Sequence, residues 1–208
     1  MDKKYAILDM DGTLVDSMPY WNRLGLDYLR GKGVTESEES IHKETDGLTL
    51  SEAVRIYADR YGFDAASAQE EMDEMMKSHY RNDIPLKPGV PALLNELKNS
   101  GVRLCVASAS SALLISICLH RLNIRNSFEF ILSCEDLNTR KKDPDIYLEA
   151  VRRFGSSPQE TAVYEDSHIA VQTAKKAGFY TVGIYSADER EYMDQIIKTA
   201  DAFMNLVK

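Results

Sequence analysis

Asp9 and Asp11 stand two positions apart in the string Asp9-Met10-Asp11-Gly12-Thr13, directly after a short apolar run. Two carboxylates in a loop that ends in glycine can both face one cleft. There, one could attack an electrophile while the other moves a proton. Three further places carry groups of matching use. Ala107-Ser108-Ala109-Ser110 follows a second apolar run and precedes a helical pattern. A hydroxyl beside the open backbone N–H groups of a helix start is a natural phosphate cradle. Arg140-Lys141-Lys142-Asp143-Pro144-Asp145 brings an ammonium to the start of another helix, and Glu165-Asp166-Ser167 follows a further apolar run. Several carboxylates in one cleft would repel one another. A hard cation such as Mg2+, which takes a few carboxylates plus phosphate oxygens, relieves that repulsion. Cysteine and histidine are absent from these positions, which argues against zinc or copper. An anion holder, a hard metal and two adjacent acids are the parts of a phosphoryl-transfer site.

The elements that would present these residues are legible from periodicity. Residues 5–8, 102–107, 130–133, 161–164 and 180–184 read as short buried strands. Residues 90–99, 111–122, 145–154, 168–177 and 189–198 carry helical patterns between them. Such alternation implies right-handed βαβ units and a parallel sheet, with the active site at the carboxyl ends of the strands. Residues 17–84 differ in texture. They show helical patterns over 17–32, 51–61 and 65–81, with Thr49 or Ser51 as the candidate cap of the second, and no convincing strand. The expected fold class is α/β: a Rossmann-like parallel sheet core flanked by helices, with a small all-helical cap domain inserted after the first strand. The expected boundaries are 1–16 and 85–208 for the core and 17–84 for the cap.

Composition narrows the partners. At 208 residues, with 44% hydrophobic and 28% charged residues, the chain has ordinary globular usage and enough length for a core without staples. A net charge of −8 disfavours non-specific nucleic-acid binding and a polybasic membrane-surface role. The three cysteines form no CxxC pair and are odd in number, so a disulfide framework is not expected. Cys105 and Cys118 lie in apolar runs and read as buried thiols. Acids as early as Asp9 and Asp11 break any signal-peptide apolar region, and no run approaches the ~18 apolar residues of a spanning helix. The cytoplasm is the expected location. The expected partner is a small molecule, with neither nucleic acid nor membrane, and the chain is expected to be a monomer or weak homodimer.

At these residues the sequence resembles the haloacid dehalogenase-like superfamily of aspartate-nucleophile phosphatases, in its phosphoglycolate phosphatase and β-phosphoglucomutase branch. Asp9-Met10-Asp11-Gly12-Thr13-Leu14-Val15-Asp16-Ser17 is similar to the first motif, D-x-D-G-T-L-x-D-S, at every defined position. Val106-Ala107-Ser108-Ala109-Ser110 resembles the second. Lys141-Lys142-Asp143-Pro144-Asp145-Ile146-Tyr147 resembles the third, K-P-x-P-D-x-Y/F, with Lys142 in place of the usual proline. Tyr164-Glu165-Asp166-Ser167 with Ala177-Gly178 downstream resembles the fourth. The resemblance covers essentially the whole chain. It implies that Asp9 attacks phosphorus and that Asp11 protonates the leaving oxygen and then activates water. It implies that Ser108, the backbone at Ala109, and Lys141 hold the phosphoryl group. It implies Mg2+ bound by Asp9, the backbone carbonyl of Asp11, Asp166 and Glu165, with a small phosphomonoester as substrate.

Plainer readings exist for some of these groups. Ser108 could be an ordinary helix cap, Lys141 and Lys142 solvated charges, and Glu165 and Asp166 caps of the next helix. His168 reads as structural and Met72, Met75 and Met76 as packing. Trp21, in the cap, is a candidate substrate contact or a core residue. Asp46 and Thr49 lie in a turn-rich segment that could dip into the site, and are candidate contacts to the leaving group. Two rival functions remain. β-Phosphoglucomutases carry a cap histidine twelve residues after the nucleophile, where this sequence has Trp21. A catalytically silent binding protein usually lacks a nucleophile or a metal ligand, and none is missing here.

Overall fold

The computed structural model describes residues 2–45, 50–187 and 189–207. The chain divides into two compact units, Met1–Ser17 with Ile84–Lys208, and Met18–Asp83.

The first unit is built on six parallel strands: β1 (Tyr5–Leu8), β2 (Arg103–Ser108), β3 (Phe130–Ser133), β4 (Thr161–Glu165), β5 (Tyr180–Ile184) and β6 (Ala202–Met204). Their order across the sheet is β3-β2-β1-β4-β5-β6. The central strands read as continuous apolar runs because helices cover both faces, leaving Ile7, Leu8, Val106 and Val163 buried. Chain order reverses at β1, which pairs with β2 on one side and β4 on the other, Leu8 standing abreast of both Val106 and Tyr164. That reversal opens a crevice at the carboxyl ends of β1, β2 and β4.

The covering helices of this unit are Val90–Asn99, Ala112–Arg121, Asp145–Phe154, His168–Lys176 and Met193–Thr199. The third of them turns Ile146, Tyr147, Ala150, Val151 and Phe154 to the core and ends in a left-handed Gly155. Helix Ala112–Arg121 is capped by Ser111, whose hydroxyl accepts from the Leu114 N–H at 3.4 Å. The cap is therefore Ser111 and not Ser108. The last helical pattern is shorter than its sequence suggests, a 3-10 turn at Arg190–Tyr192 preceding Met193–Thr199. Strand β6 was not legible in the sequence.

The second unit holds α1 (Met18–Gly31), α2 (Glu38–Thr45), α3 (Leu50–Tyr61) and α4 (Ala65–Asn82). Its core gathers Leu24, Tyr28 and Leu29 with Val54, Tyr57, Met72, Met76 and Tyr80, all buried. Gly25 lets α1 approach α3 closely, since a Cβ there would lie 2.5 Å from the Tyr57 hydroxyl. Asp64 caps α4, accepting from the Ser67 N–H at 2.8 Å. Helix α2 is an addition to the sequence reading. Among the described residues, no helix is long and apolar enough to cross a membrane.

Candidate active site

The parallel register brings the first carboxylate to the fourth motif. Beyond Leu8, Asp9 continues β1 for one step, its N–H donating to the Tyr164 carbonyl at 3.0 Å. The chain then folds tightly, with the Leu14 and Val15 N–H groups both donating to the Met10 carbonyl at 2.9 and 3.0 Å. Gly12 makes that fold possible with φ of +79°, and a Cβ on it would collide with the Asp166 carboxylate. The glycine thus serves both the turn and the approach of the loop to the end of β4. The Thr13 hydroxyl contacts Asp166 Oδ1 at 3.4 Å.

Asp9, Glu165 and Asp166 are buried and each offers an oxygen to one point, the three atoms lying within 4.8 Å of one another. Lys141 Nζ is ion-paired with Asp9 and, at 2.6 Å, with Glu165 Oε1. Tyr147 donates its hydroxyl to the same Glu165 oxygen at 2.8 Å. The other, Glu165 Oε2, is buried without a hydrogen-bond partner among the described residues. Asp11 is half-buried beside this cluster, and its Oδ2 accepts from the Ser110 hydroxyl at 2.7 Å and the Ser108 hydroxyl at 3.4 Å. Ser108 is fully buried, while Ala109 next to it is exposed at the crevice. Lys142 is exposed, so of the adjacent lysines it is Lys141 that enters the cluster.

Electrostatics follow from that burial. Desolvation pushes the Glu165 carboxyl up to about 8, with the charges of Asp9 and Asp166 adding to it and Lys141 opposing. Desolvation likewise pushes Asp166 up to about 7, with Asp9 reinforcing and Lys141 and Lys87 opposing. Asp9 is raised as well, by burial against the pull of Lys141. Burial alone would lower the Lys141 ammonium, but Asp9 and Glu165 outweigh it and hold its pKa above the ordinary lysine value. Three crowded carboxylates, all oxygen donors and one of them carrying an orphaned buried oxygen, fit a hard divalent cation such as Mg2+.

The remaining sequence candidates lie elsewhere. Trp21 sits on α1 and donates its indole N–H to the Tyr80 hydroxyl at 3.1 Å. Asp46 and Thr49 fall outside the described residues. His168 pairs through Nδ1 with Glu189 at 2.8 Å and stacks on Tyr192. Three contributors escaped the sequence reading. Lys87 is a buried lysine whose ammonium donates to the Gly12 carbonyl and, at 2.9 Å, to the Tyr185 carbonyl. The others are the Ser110 hydroxyl at Asp11 and the Tyr147 hydroxyl at Glu165. A lysine between two prolines in Pro85-Leu86-Lys87-Pro88 reads as a turn, and only the tertiary fold makes it a partner of Gly12.

Comparison with known proteins gives a consistent picture. The family described as haloacid dehalogenase-like hydrolase matches residues 6–184. Hexitol phosphatase B of Escherichia coli (strain K12) is 31% identical over 175 residues, covering 83% of this chain and 79% of that one. Beta-phosphoglucomutase of Bacillus subtilis (strain 168) is 26% identical over 219 residues, covering 98% of this chain and 93% of that one. Among solved structures, CbbY from Rhodobacter sphaeroides in complex with phosphate superposes with a TM-score of 0.78 at 21% identity, covering 99% and 96% of the two chains. At that identity the likeness speaks for the fold alone.

Proposed function

The chain belongs to the haloacid dehalogenase-like hydrolase family, and on that premise we propose that it is a Mg2+-dependent phosphatase acting on a small phosphorylated sugar or polyol. The observation that carries the reading is the buried Asp9 carboxylate, paired with Lys141 and crowded by Glu165 and Asp166 at the carboxyl end of β1. In this reading a carboxylate oxygen of Asp9 attacks phosphorus, and the bond from phosphorus to the substrate oxygen breaks. Asp11 gives its proton to the departing alkoxide, which leaves as the alcohol. The aspartyl-phosphate on Asp9 is then cleaved by water, whose proton returns to Asp11, releasing phosphate and restoring the Asp9 carboxylate. Splitting one displacement into two is the gain of covalent catalysis, and proton transfer by Asp11 contributes roughly 10²–10⁴-fold. Ser108, the Ala109 N–H and Lys141 hold the transferring phosphoryl group. Asp9, the Asp11 carbonyl, Glu165 and Asp166 hold the metal, which neutralises charge on the phosphoryl oxygens when bound. The unit 18–83 serves as the substrate-selecting cap, with Trp21, Asp46 and Thr49 as its candidate contacts.

The preference for a phosphorylated carbohydrate rests on relatives named hexitol phosphatase and phosphorylated carbohydrates phosphatase. A β-phosphoglucomutase relative keeps a second outcome open to test. Trp21 stands where a mutase cap histidine is expected and offers no basic nitrogen for proton transfer, so net hydrolysis is the favoured reading. The deciding experiment measures phosphate release from hexitol, hexose and glycolate phosphates with Mg2+. Asp9→Asn and EDTA serve as controls, and glucose 6-phosphate formation from β-glucose 1-phosphate is followed in parallel. Release that needs both metal and Asp9 supports the phosphatase. Isomerisation without release replaces it with a mutase, and inactivity on every compound with no metal effect removes the enzymatic reading.

A further inference from the structure

Glu165 is held unevenly. Its Oε1 receives two donors, the Lys141 ammonium at 2.6 Å and the Tyr147 hydroxyl at 2.8 Å. Its Oε2 is buried and receives none among the described residues. We propose that Tyr147 is a positioning residue for the divalent cation, its hydroxyl engaging one oxygen of Glu165 so that the other is left open to the metal. The proposal rests on the metal-dependent reading above and adds to it a residue outside the set of metal-holding side chains.

The geometry suits that task. The terminal torsion of a glutamate is broad and roughly two-fold, so an unrestrained carboxylate turns freely. Lys141 alone cannot fix it, because its flexible ammonium is shared with Asp9. The Tyr147 ring is different. It is completely buried on helix Asp145–Phe154, and its centroid lies 6.0 Å from that of Phe179. A wedged ring with a single hydroxyl donates along one direction and occupies one lone-pair region of Oε1. Fixing that oxygen leaves Oε2, buried and without a donor among the described residues, as the Glu165 atom open to a cation held with Asp9 and Asp166. Donors that orient metal-binding carboxylates typically change metal affinity when removed while leaving the ligands themselves in place.

The test is binding of Mn2+ alone, read as free-ion signal by electron paramagnetic resonance, with no substrate present. Four proteins are compared: the unaltered chain, Tyr147→Phe, Glu165→Gln and the double variant. Tyr147→Phe keeps the ring and its packing, so it removes only the hydroxyl. It is expected to weaken Mn2+ binding roughly tenfold. In the Glu165→Gln background the same change is expected to have little further effect, because the carboxylate whose orientation it sets is gone. Activity of Tyr147→Phe is expected to fall at limiting Mg2+ and to recover as Mg2+ is raised, as a loss of metal affinity requires. Unchanged Mn2+ affinity in Tyr147→Phe overturns the proposal, and so does an equal loss in both backgrounds, which would mark general loosening. If the unaltered chain binds no Mn2+, the metal reading falls and this inference with it. Tight binding by the unaltered chain and by Tyr147→Phe alike sinks this inference alone.

Discussion

Asp166→Asn is expected to make the metal-free protein less sensitive to pH, and more stable than the unaltered chain at about pH 8. In the folded chain Asp166 is 6% exposed, and its carboxyl is raised from 3.8 to about 7. In the unfolded chain it titrates at its ordinary value. Below that value both states hold the proton and the contribution to stability is fully present. As pH rises, the unfolded chain releases its proton first, so stability falls until the folded carboxyl ionises too. Each pKa unit corresponds to about 1.4 kcal/mol, so between about pH 5 and pH 8 this group removes on the order of 2.5 kcal/mol. Glu165, raised to about 8, acts in the same direction and is relieved when the neighbouring charge of Asp166 is deleted. For a chain of this size the difference corresponds to a melting shift of about 8 °C. The assay is thermal unfolding by circular dichroism in EDTA at the two pH values, for the unaltered chain and the variant. The unaltered chain should lose more on going to the higher pH. Adding Mg2+ at the higher pH should reverse the ranking, since only the unaltered chain keeps all three carboxylates for the cation. Parallel pH responses of the two proteins in EDTA would refute the reasoning, because the cluster would then not be the source of the strain.

Two further predictions address the residues that hold the loop of the first motif. Lys87→Met leaves the Gly12 and Tyr185 carbonyls without their buried donor, at about 1–3 kcal/mol. A melting temperature in EDTA unchanged by that substitution would show the lysine to be dispensable. Ser110→Ala frees the Asp11 carboxylate from its 2.7 Å donor, and so should lower kcat on an alkyl phosphate by about tenfold through misplacement of the proton donor. With p-nitrophenyl phosphate, whose leaving group departs without protonation, the loss should be much smaller. Equal losses on both substrates would assign Ser110 to phosphate binding instead.

What could be read in advance was whatever follows a strand. Asp9, Ser108 and Glu165 each stand at the end of a short, largely apolar, buried run, so the strand pattern located the positions to inspect. The parallel register then sets Asp9 beside Glu165, with Ser108 one step further along the neighbouring strand, at the carboxyl ends of the strands. Contacts made across the fold were not legible. Lys87 reaches Gly12 from 75 residues away, and Tyr147 reaches Glu165 from 18, with no local pattern that marks either pairing. Helix Glu38–Thr45 is mostly polar and lacks an apolar stripe, so its period is silent. Strand β6 is three residues long at the sheet's rim, with Phe203 exposed, and so carries too little apolar alternation to register.

The charge arrangement explains why the site's parts belong together. Three buried carboxylates converge, and Lys141 is already committed to two of them, Asp9 and Glu165. Lys87 contributes its charge toward Asp166, and its ammonium also donates to the Gly12 and Tyr185 carbonyls. The metal-free site is therefore crowded with acidic groups in an acidic chain, which disfavours the anionic substrate proposed above. Protonation is one way to relieve it, which is why Glu165 and Asp166 hold their protons toward neutral pH. A divalent cation is the other, and it would favour the ionised Asp9 that the proposed mechanism needs as nucleophile. In the proposed mechanism, carboxylates neutralised in that way would leave Lys141 less tightly held and able to turn to a phosphoryl oxygen. On that proposal the ammonium that pairs with Asp9 and Glu165 in the metal-free cluster would also serve as the substrate's anion holder, and metal and phosphoester binding would be coupled through Lys141.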